Sequence, residues 1–323
     1  MEATMAASCA YLLPCTTSPI SLSPFPPPSP TLHFFRNRIP CSKFPLMEPL
    51  HSESRTKFME FPYVSAPHRD LMVQLVSSVE TRLESALQPC TLPPDVQYYQ
   101  NPTGSANASL HVRSGLPSSR IDFILGSWVH CKLPTGGALN ITSLSAYLRP
   151  STDAPNFLIE LIRSSPVSLI LILDLPPRKD LVLHPEYLKE FYEDTQLDRH
   201  RQLLEKLPEV RPYVSSSLYI RSVVSPCAVM VSIEAPADQT SRIEEIIRDH
   251  ISPIAKEMLE AWLDMCACVE REVGGDESGG LGRRDQIIKN KTIEIDLGSS
   301  FPRLFGEEVA NRVLGVLRGI YNA

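Results

Sequence analysis

The sequence predicts an α+β protein, with helices on both faces of a central antiparallel sheet, and three observations predict it. Five short β-favouring runs follow one another between Ser109 and Asp174. The links between them are shorter than the dozen or so residues that a parallel crossover takes, so neighbouring strands pair antiparallel. Segments of helical period lie before and after these runs, the order expected of a layered α+β domain.

Taken in order, the chain begins with a leader. Between Glu2 and Glu48 there is no acidic residue, whereas Ser, Thr and Pro abound and Arg36, Arg38 and Lys43 supply positive charge. Acid-poor, Ser-rich leaders are organelle transit peptides, and residues 11–13 are too short an apolar core for a secretory signal. Residues 1–45 are therefore set apart from the fold, and 46–323 are expected to form one domain. Residues 57–67 read as an approach segment. Ser65, Pro67 and Asp70 signal a helix start, and Leu71, Leu75, Val79, Leu83 and Leu87 recur every four residues. After a turn at 102–104, strands are expected at 109–114, 120–132 and 138–148, the last two joined by the turn Pro134-Thr135-Gly136-Gly137. Two more, 156–163 and 167–174, form a hairpin over a Ser-Ser-Pro turn. The second of these is apolar on both faces, as in a sheet covered on each side.

Beyond Pro176 the pattern predicts helices at 185–194 and 196–207, strands at 213–221 and 227–234, and helices at 241–250 and 253–270. Pro253 either kinks one long helix or opens a second. A mobile Gly-rich loop is expected at 274–282, and 284–295 fits neither period. Phe305, Val309, Val313, Leu317 and Ile320 mark a C-terminal helix.

Composition narrows the function. The chain has 323 residues, 43% hydrophobic and 21% charged, with a net charge of −6, which is ordinary globular usage and argues against wholesale nucleic-acid binding. No apolar run is long enough to span a bilayer. Cys9, Cys15 and Cys41 lie in the leader, and the scattered Cys90, Cys131, Cys227, Cys266 and Cys268 do not make a disulfide framework. On a helix, Cys266 and Cys268 face different directions and do not converge on one ion. His111 and His130 lack partners at metal spacing and read as structural. Arg178-Lys179 and Arg283-Arg284 read as solvated loop charges. The Gly-rich dinucleotide fingerprint, the Walker loop, the Gly-x-Ser-x-Gly elbow and the His-Glu-x-x-His pair are all absent from the sequence. What stands out is Glu160 in an apolar strand. A carboxylate there either pairs with an arginine at the rim or faces a ligand cavity.

Several long motifs are collinear with a known family. They are Lys57-Phe58-Met59-Glu60-Phe61-Pro62-Tyr63-Val64-Ser65, Ile121-Asp122-Phe123 with Gly126-Ser127-Trp128, and the segments 154–162, 173–183 and 301–308. Together they closely resemble the red chlorophyll catabolite reductases of plants, within the ferredoxin-dependent bilin reductase superfamily. The resemblance implies a three-layer α/β/α sandwich around an antiparallel sheet. It implies reduction of red chlorophyll catabolite, an open-chain tetrapyrrole produced by pheophorbide a oxygenase, to the primary fluorescent catabolite. It also implies reduced ferredoxin as external electron donor, no bound metal or flavin, a homodimer, and residence in the chloroplast stroma with mitochondria as a second location.

The resemblance implies site residues as well. Glu160 and Asp296 match the family's two tetrapyrrole-facing acids, which either donate protons to the reduced pigment or orient it through its pyrrole N–H groups. Tyr213, Val214 and Ser215 match a substrate-lining segment, and Val224 matches a position whose size is thought to set the product epimer. Because ferredoxin is acidic and this chain is net negative, docking needs a local basic patch, for which Arg178, Lys179, Arg283, Arg284 and Lys289 are the candidates. The competing reading is a carrier that sequesters the pigment without catalysis.

Overall fold

The computed structural model describes residues 48–322 except 135, 270 and 272, and gives the backbone alone for 48–52 and 296. The expected leader lies outside the described residues. Helices α1 (Glu48–Met59), α2 (Ala66–Arg82) and α3 (Pro94–Gln97) lead into strands β1 (Tyr98–Gln100), β2 (Ala106–Ser114), β3 (Ile121–Lys132), β4 (Ala138–Leu148), β5 (Phe157–Ser165) and β6 (Ser168–Asp174). Then come α4 (Pro185–Leu188), α5 (Asp198–Leu204), β7 (Val210–Pro212), α6 (Leu218–Val223) and β8 (Val229–Glu234). The chain closes with α7 (Arg242–Ile246), α8 (Ser252–Trp262), α9 (Gly275–Thr292), α10 (Gly298–Phe305) and α11 (Glu307–Tyr321).

The strands form one eight-stranded sheet in the order β1-β2-β3-β4-β5-β6-β8-β7, antiparallel throughout. Short links make β1 to β6 a meander, as expected from their length. Each outermost strand is three residues long.

Strand alternation sorts the side chains into two cores. Leu169, Leu171 and Leu173 of β6 face the core shared with α2 and α8, where Leu75, Met258 and Trp262 are buried. Ile170 and Ile172 face the opposite core, built on Phe301, Phe305 and Leu317. The expected three layers follow from this partition. In the first core the Trp262 and Trp128 indoles donate to the carbonyls of Pro155 (3.0 Å) and Phe58 (3.1 Å), so neither polar tip is stranded. Gly126 admits the Phe58 ring, since a Cβ there would meet it at 2.7 Å. Gly306, at φ 81°, makes the left-handed break between α10 and α11.

Three expectations are corrected, and one left open is decided. The strand placed at 213–221 is the shorter β7 followed by α6: Pro212 has no N–H to extend a ladder, and Ser217 caps the helix by accepting from the Ile220 N–H (3.3 Å). The Gly-rich loop at 274–282 and the unassigned 284–295 are largely α9. Asp276 and Glu277 in its first turn favour a helix start there, and the Glu277 carboxylate also meets Lys179 (2.5 Å). The approach segment is helical to Met59, as the end of α1. Of the two readings of Pro253, the one long helix holds: helical backbone runs on through 242–267, and Pro253 sits just after the π-helical turn Ile247–Ile251, where the hydrogen-bond pattern already shifts.

Candidate active site

The face of the sheet opposite α2 and α8 does not close fully against the C-terminal helices. Between them lies a largely apolar cavity of about 210 Å³, or about 1490 Å³ when space open to solvent is counted. Leu110, Leu125, Val129 and Ile141 contribute much of its floor. Across that floor runs a short polar row set by strand register: Ser127 of β3 stands opposite Ser143 of β4, and Ser143 opposite Glu160 of β5. The two serine hydroxyls are hydrogen-bonded at 2.7 Å. Ile172 ends the row on β6. Glu160 is half-buried and lines the cavity, so its carboxylate interrupts an apolar strand at the point where the sheet meets the hollow.

The roof comes from α9, α10 and α11. Arg284, Ile288 and Thr292 recur at four-residue spacing on α9 and line the cavity together, with Phe301 and Leu317 beyond them. The other flank of α9 is fastened. Asp285 receives the buried Arg178, Nη2 to Oδ2 at 2.5 Å, while Arg178 Nη1 donates to the Thr152 carbonyl (2.6 Å). Lys289 is buried in an ion pair with Asp122. Lys179 is held between Asp153 (2.6 Å) and Glu277 (2.5 Å). These contacts fix the rotation of the helix and with it the stripe that faces the cavity.

The cavity's side wall is the end of α6, with Ile220, Val223 and Val224. Val224 leaves the helix in extended conformation, and the next residue is pinned. Ser225 donates its N–H to Asp174 Oδ2 (2.9 Å) and its hydroxyl to Oδ1 (2.5 Å). Burial pushes the Asp174 carboxyl up to about 6, against the opposing pull of the Ser225 hydrogen bonds.

Of the residues singled out from sequence, Glu160 and Val224 line this cavity. Asp296 lies in the one-turn helical segment Ile293–Leu297, between Thr292 and Leu297, both of which line it; the Asp296 side chain is outside the described part. Tyr213, Val214 and Ser215 are not among the lining residues. The Tyr213 N–H donates to the Met230 carbonyl (2.8 Å), Val214 is 66% exposed, and Ser215 Oγ accepts from the Ser217 N–H (3.2 Å).

The basic residues need correction. Arg178 and Lys289 are buried in ion pairs, and Lys179 already meets two carboxylates, so Arg178 and Lys179 are not solvated loop charges and none of the three is free for docking. Arg283 is exposed, whereas Arg284 is half-buried on the cavity wall. Ser127 and Ser143 were missed as cavity residues, and Arg284 was named only as a docking candidate. Ser127 and Ser143 carried a usable signal: each interrupts the apolar face of its strand as Glu160 does.

Two other hollows are roomier, at about 690 and 550 Å³, but their linings at the end of the sheet are as polar as they are apolar. Their charged groups are engaged: Arg149 donates to the carbonyls of Ile121, Pro117 and Gly115, and Asp122 holds Lys289. An apolar cavity with a few convergent polar groups is the stronger ligand site. His111 Nε2 lies 2.9 Å from Glu80 Oε1 and His130 Nδ1 lies 2.8 Å from Asn140 Oδ1, so each ring is engaged within the fold. Among the described residues no group of three or more His, Cys, Asp or Glu side chains could hold a metal ion, and no helix is long and apolar enough to cross a membrane.

Comparison with known proteins gives a consistent answer. The family model for red chlorophyll catabolite reductase (RCC reductase) matches residues 67–319. The chloroplastic red chlorophyll catabolite reductase of Arabidopsis thaliana is 56% identical over 306 residues, covering 94% of this chain and 95% of that protein. Red chlorophyll catabolite reductase 1, chloroplastic, of Oryza sativa subsp. japonica is 42% identical over 314 residues, covering 94% and 95%. Among solved structures, phytochromobilin synthase from tomato in complex with biliverdin superposes with a TM-score of 0.59 at 16% identity, covering 79% of this chain and 84% of that one, a likeness of fold.

Proposed function

The chain belongs to the red chlorophyll catabolite reductase family, and from that premise we propose that it reduces red chlorophyll catabolite with single electrons delivered by reduced ferredoxin. The observation that carries this reading is the apolar cavity between the sheet and the C-terminal helices, with Glu160 on its floor.

The reaction adds two electrons and two protons across the methine bridge between rings A and D. Ferredoxin supplies both electrons, one π bond is lost and two bonds to hydrogen form. The first electron makes a basic radical anion. A flat pigment filling the cavity displaces water from its floor, and a carboxyl in such a setting favours its neutral, proton-donating form. Glu160 is the proposed first donor. The second electron and second proton complete the bridge, with Asp296, the other acid of the family motif, as the proposed second donor. The residues of the cavity bind and orient the pigment, and the reading needs no bound metal or flavin.

The leader and the chloroplastic names of the Arabidopsis and rice relatives support a site of action in the chloroplast stroma. There the protein would receive its substrate from pheophorbide a oxygenase and would act as a homodimer. The decisive experiment is anaerobic incubation with the red catabolite, ferredoxin and a ferredoxin-reducing system. A fluorescent product is expected; a bound but unaltered pigment would make the protein a carrier.

A further inference from the structure

We propose that Arg284 is the anion subsite of the cavity and binds a carboxylate on the rim of the tetrapyrrole, an inference that rests on the cavity being the pigment site. Among the described residues of the lining, Arg284 is the one basic side chain, set among apolar groups and hydroxyls with Glu160 on the opposite wall. Of the acidic residues along α9 and just beyond, Asp285 is engaged with Arg178, Glu277 with Lys179 and Glu294 with Lys291. Among the described residues Arg284 makes no ion pair, and its charge reaches the Tyr219 phenol of α6. A half-buried guanidinium without a counter-ion is a poor device for stability and a good one for recognition, because its planar fork matches a carboxylate through two hydrogen bonds.

The geometry is prepared in advance. Arg178 and Asp122 hold the far flank of α9, so the Arg284–Ile288–Thr292 stripe presents to the cavity before any ligand arrives. Arg284 lies twelve residues before Asp296, on the order of 18 Å along the helix at about 1.5 Å per residue. A carboxylate held there is remote from Asp296, the proposed second donor, and a guanidinium is a fixed cation, so the role of Arg284 is to anchor the pigment. Open-chain tetrapyrroles of the chlorophyll series retain a ring propionate, which supplies the anion.

The test is an anaerobic absorbance titration without ferredoxin, comparing the red catabolite as free acid and as its propionate methyl ester. Wild-type protein is expected to bind the acid roughly ten- to a hundredfold more tightly than the ester, the range for a charge-assisted contact. Arg284→Gln is expected to bind both forms alike, at about the wild-type affinity for the ester, and Arg284→Lys to recover part of the preference. Equal binding of acid and ester by the wild type overturns the subsite without calling on any variant. So does an Arg284→Gln protein that keeps the preference for acid while its KM for ferredoxin rises, which would make Arg284 a docking residue. Wild-type protein that takes up neither form overturns the pigment reading itself, and the subsite with it.

Discussion

Arg178 and Asp285, 107 positions apart in the chain, meet in a buried ion pair with Nη2 and Oδ2 2.5 Å apart, and that contact ties the segment after β6 to the helix roofing the cavity. Removing one partner leaves the other charge buried and alone, which costs about 3–5 kcal/mol. Arg178→Met is therefore expected to lower the unfolding free energy by that amount in urea titrations. The double variant Arg178→Met with Asp285→Leu should recover much of the loss, because no charge is then stranded.

Glu160→Gln keeps the shape and hydrogen-bonding capacity of the side chain but removes the acid. If Glu160 gives the first proton, turnover should drop by about a hundredfold or more with little change in pigment affinity. The check is single-turnover reduction alongside an absorbance titration. Unimpaired turnover would eliminate Glu160 as the proton source.

Val224→Phe adds an aromatic ring at the cavity's side wall. The backbone cannot retreat freely, because the next residue is held by two hydrogen bonds to Asp174. The bulk is expected to enter the cavity and tilt the pigment. The epimer ratio of the product on chiral chromatography should shift, and an unchanged ratio would take Val224 out of the stereochemical site.

Asp174 makes stability depend on pH in an unusual direction. Its carboxyl is raised from 3.8 to about 6 in the folded protein, so between those values the native state holds a proton that the unfolded chain has released. Its contribution to stability is full below about pH 4, declines as pH rises and is lost above about pH 6, a change of roughly 3 kcal/mol. Asp174→Asn can still accept from the Ser225 N–H and should lack this decline. Urea unfolding of both proteins at intervals from pH 4 to 8 measures the difference, and parallel curves would refute it.

Much of this fold was legible because the strands between 106 and 174 are β-favouring runs separated by turn residues, so composition and link length alone imply the meander. The region after Pro176 was less legible. The Gly-rich start of α9 has low helix propensity and reads locally as a loop, yet the residues that hold it, Arg178 and Lys179, lie about a hundred positions earlier. No window on the sequence contains both halves of such a contact. Glu160 was legible because a carboxylate in an apolar strand contradicts its neighbours. Arg284 was not, because one arginine beside another in a polar stretch looks like surface until the helix is turned by its partners.

The brevity of the sheet's two outermost strands has a bearing on how copies of this protein meet. A long bare margin would let a neighbouring chain add its own strand through backbone amides, whatever its sequence. Here each outermost strand has three residues, and one of them ends in Pro212, which has no amide hydrogen to offer. Self-association is thereby directed toward helix and loop surfaces, where side chains choose the partner, and indiscriminate growth of the sheet from chain to chain is disfavoured.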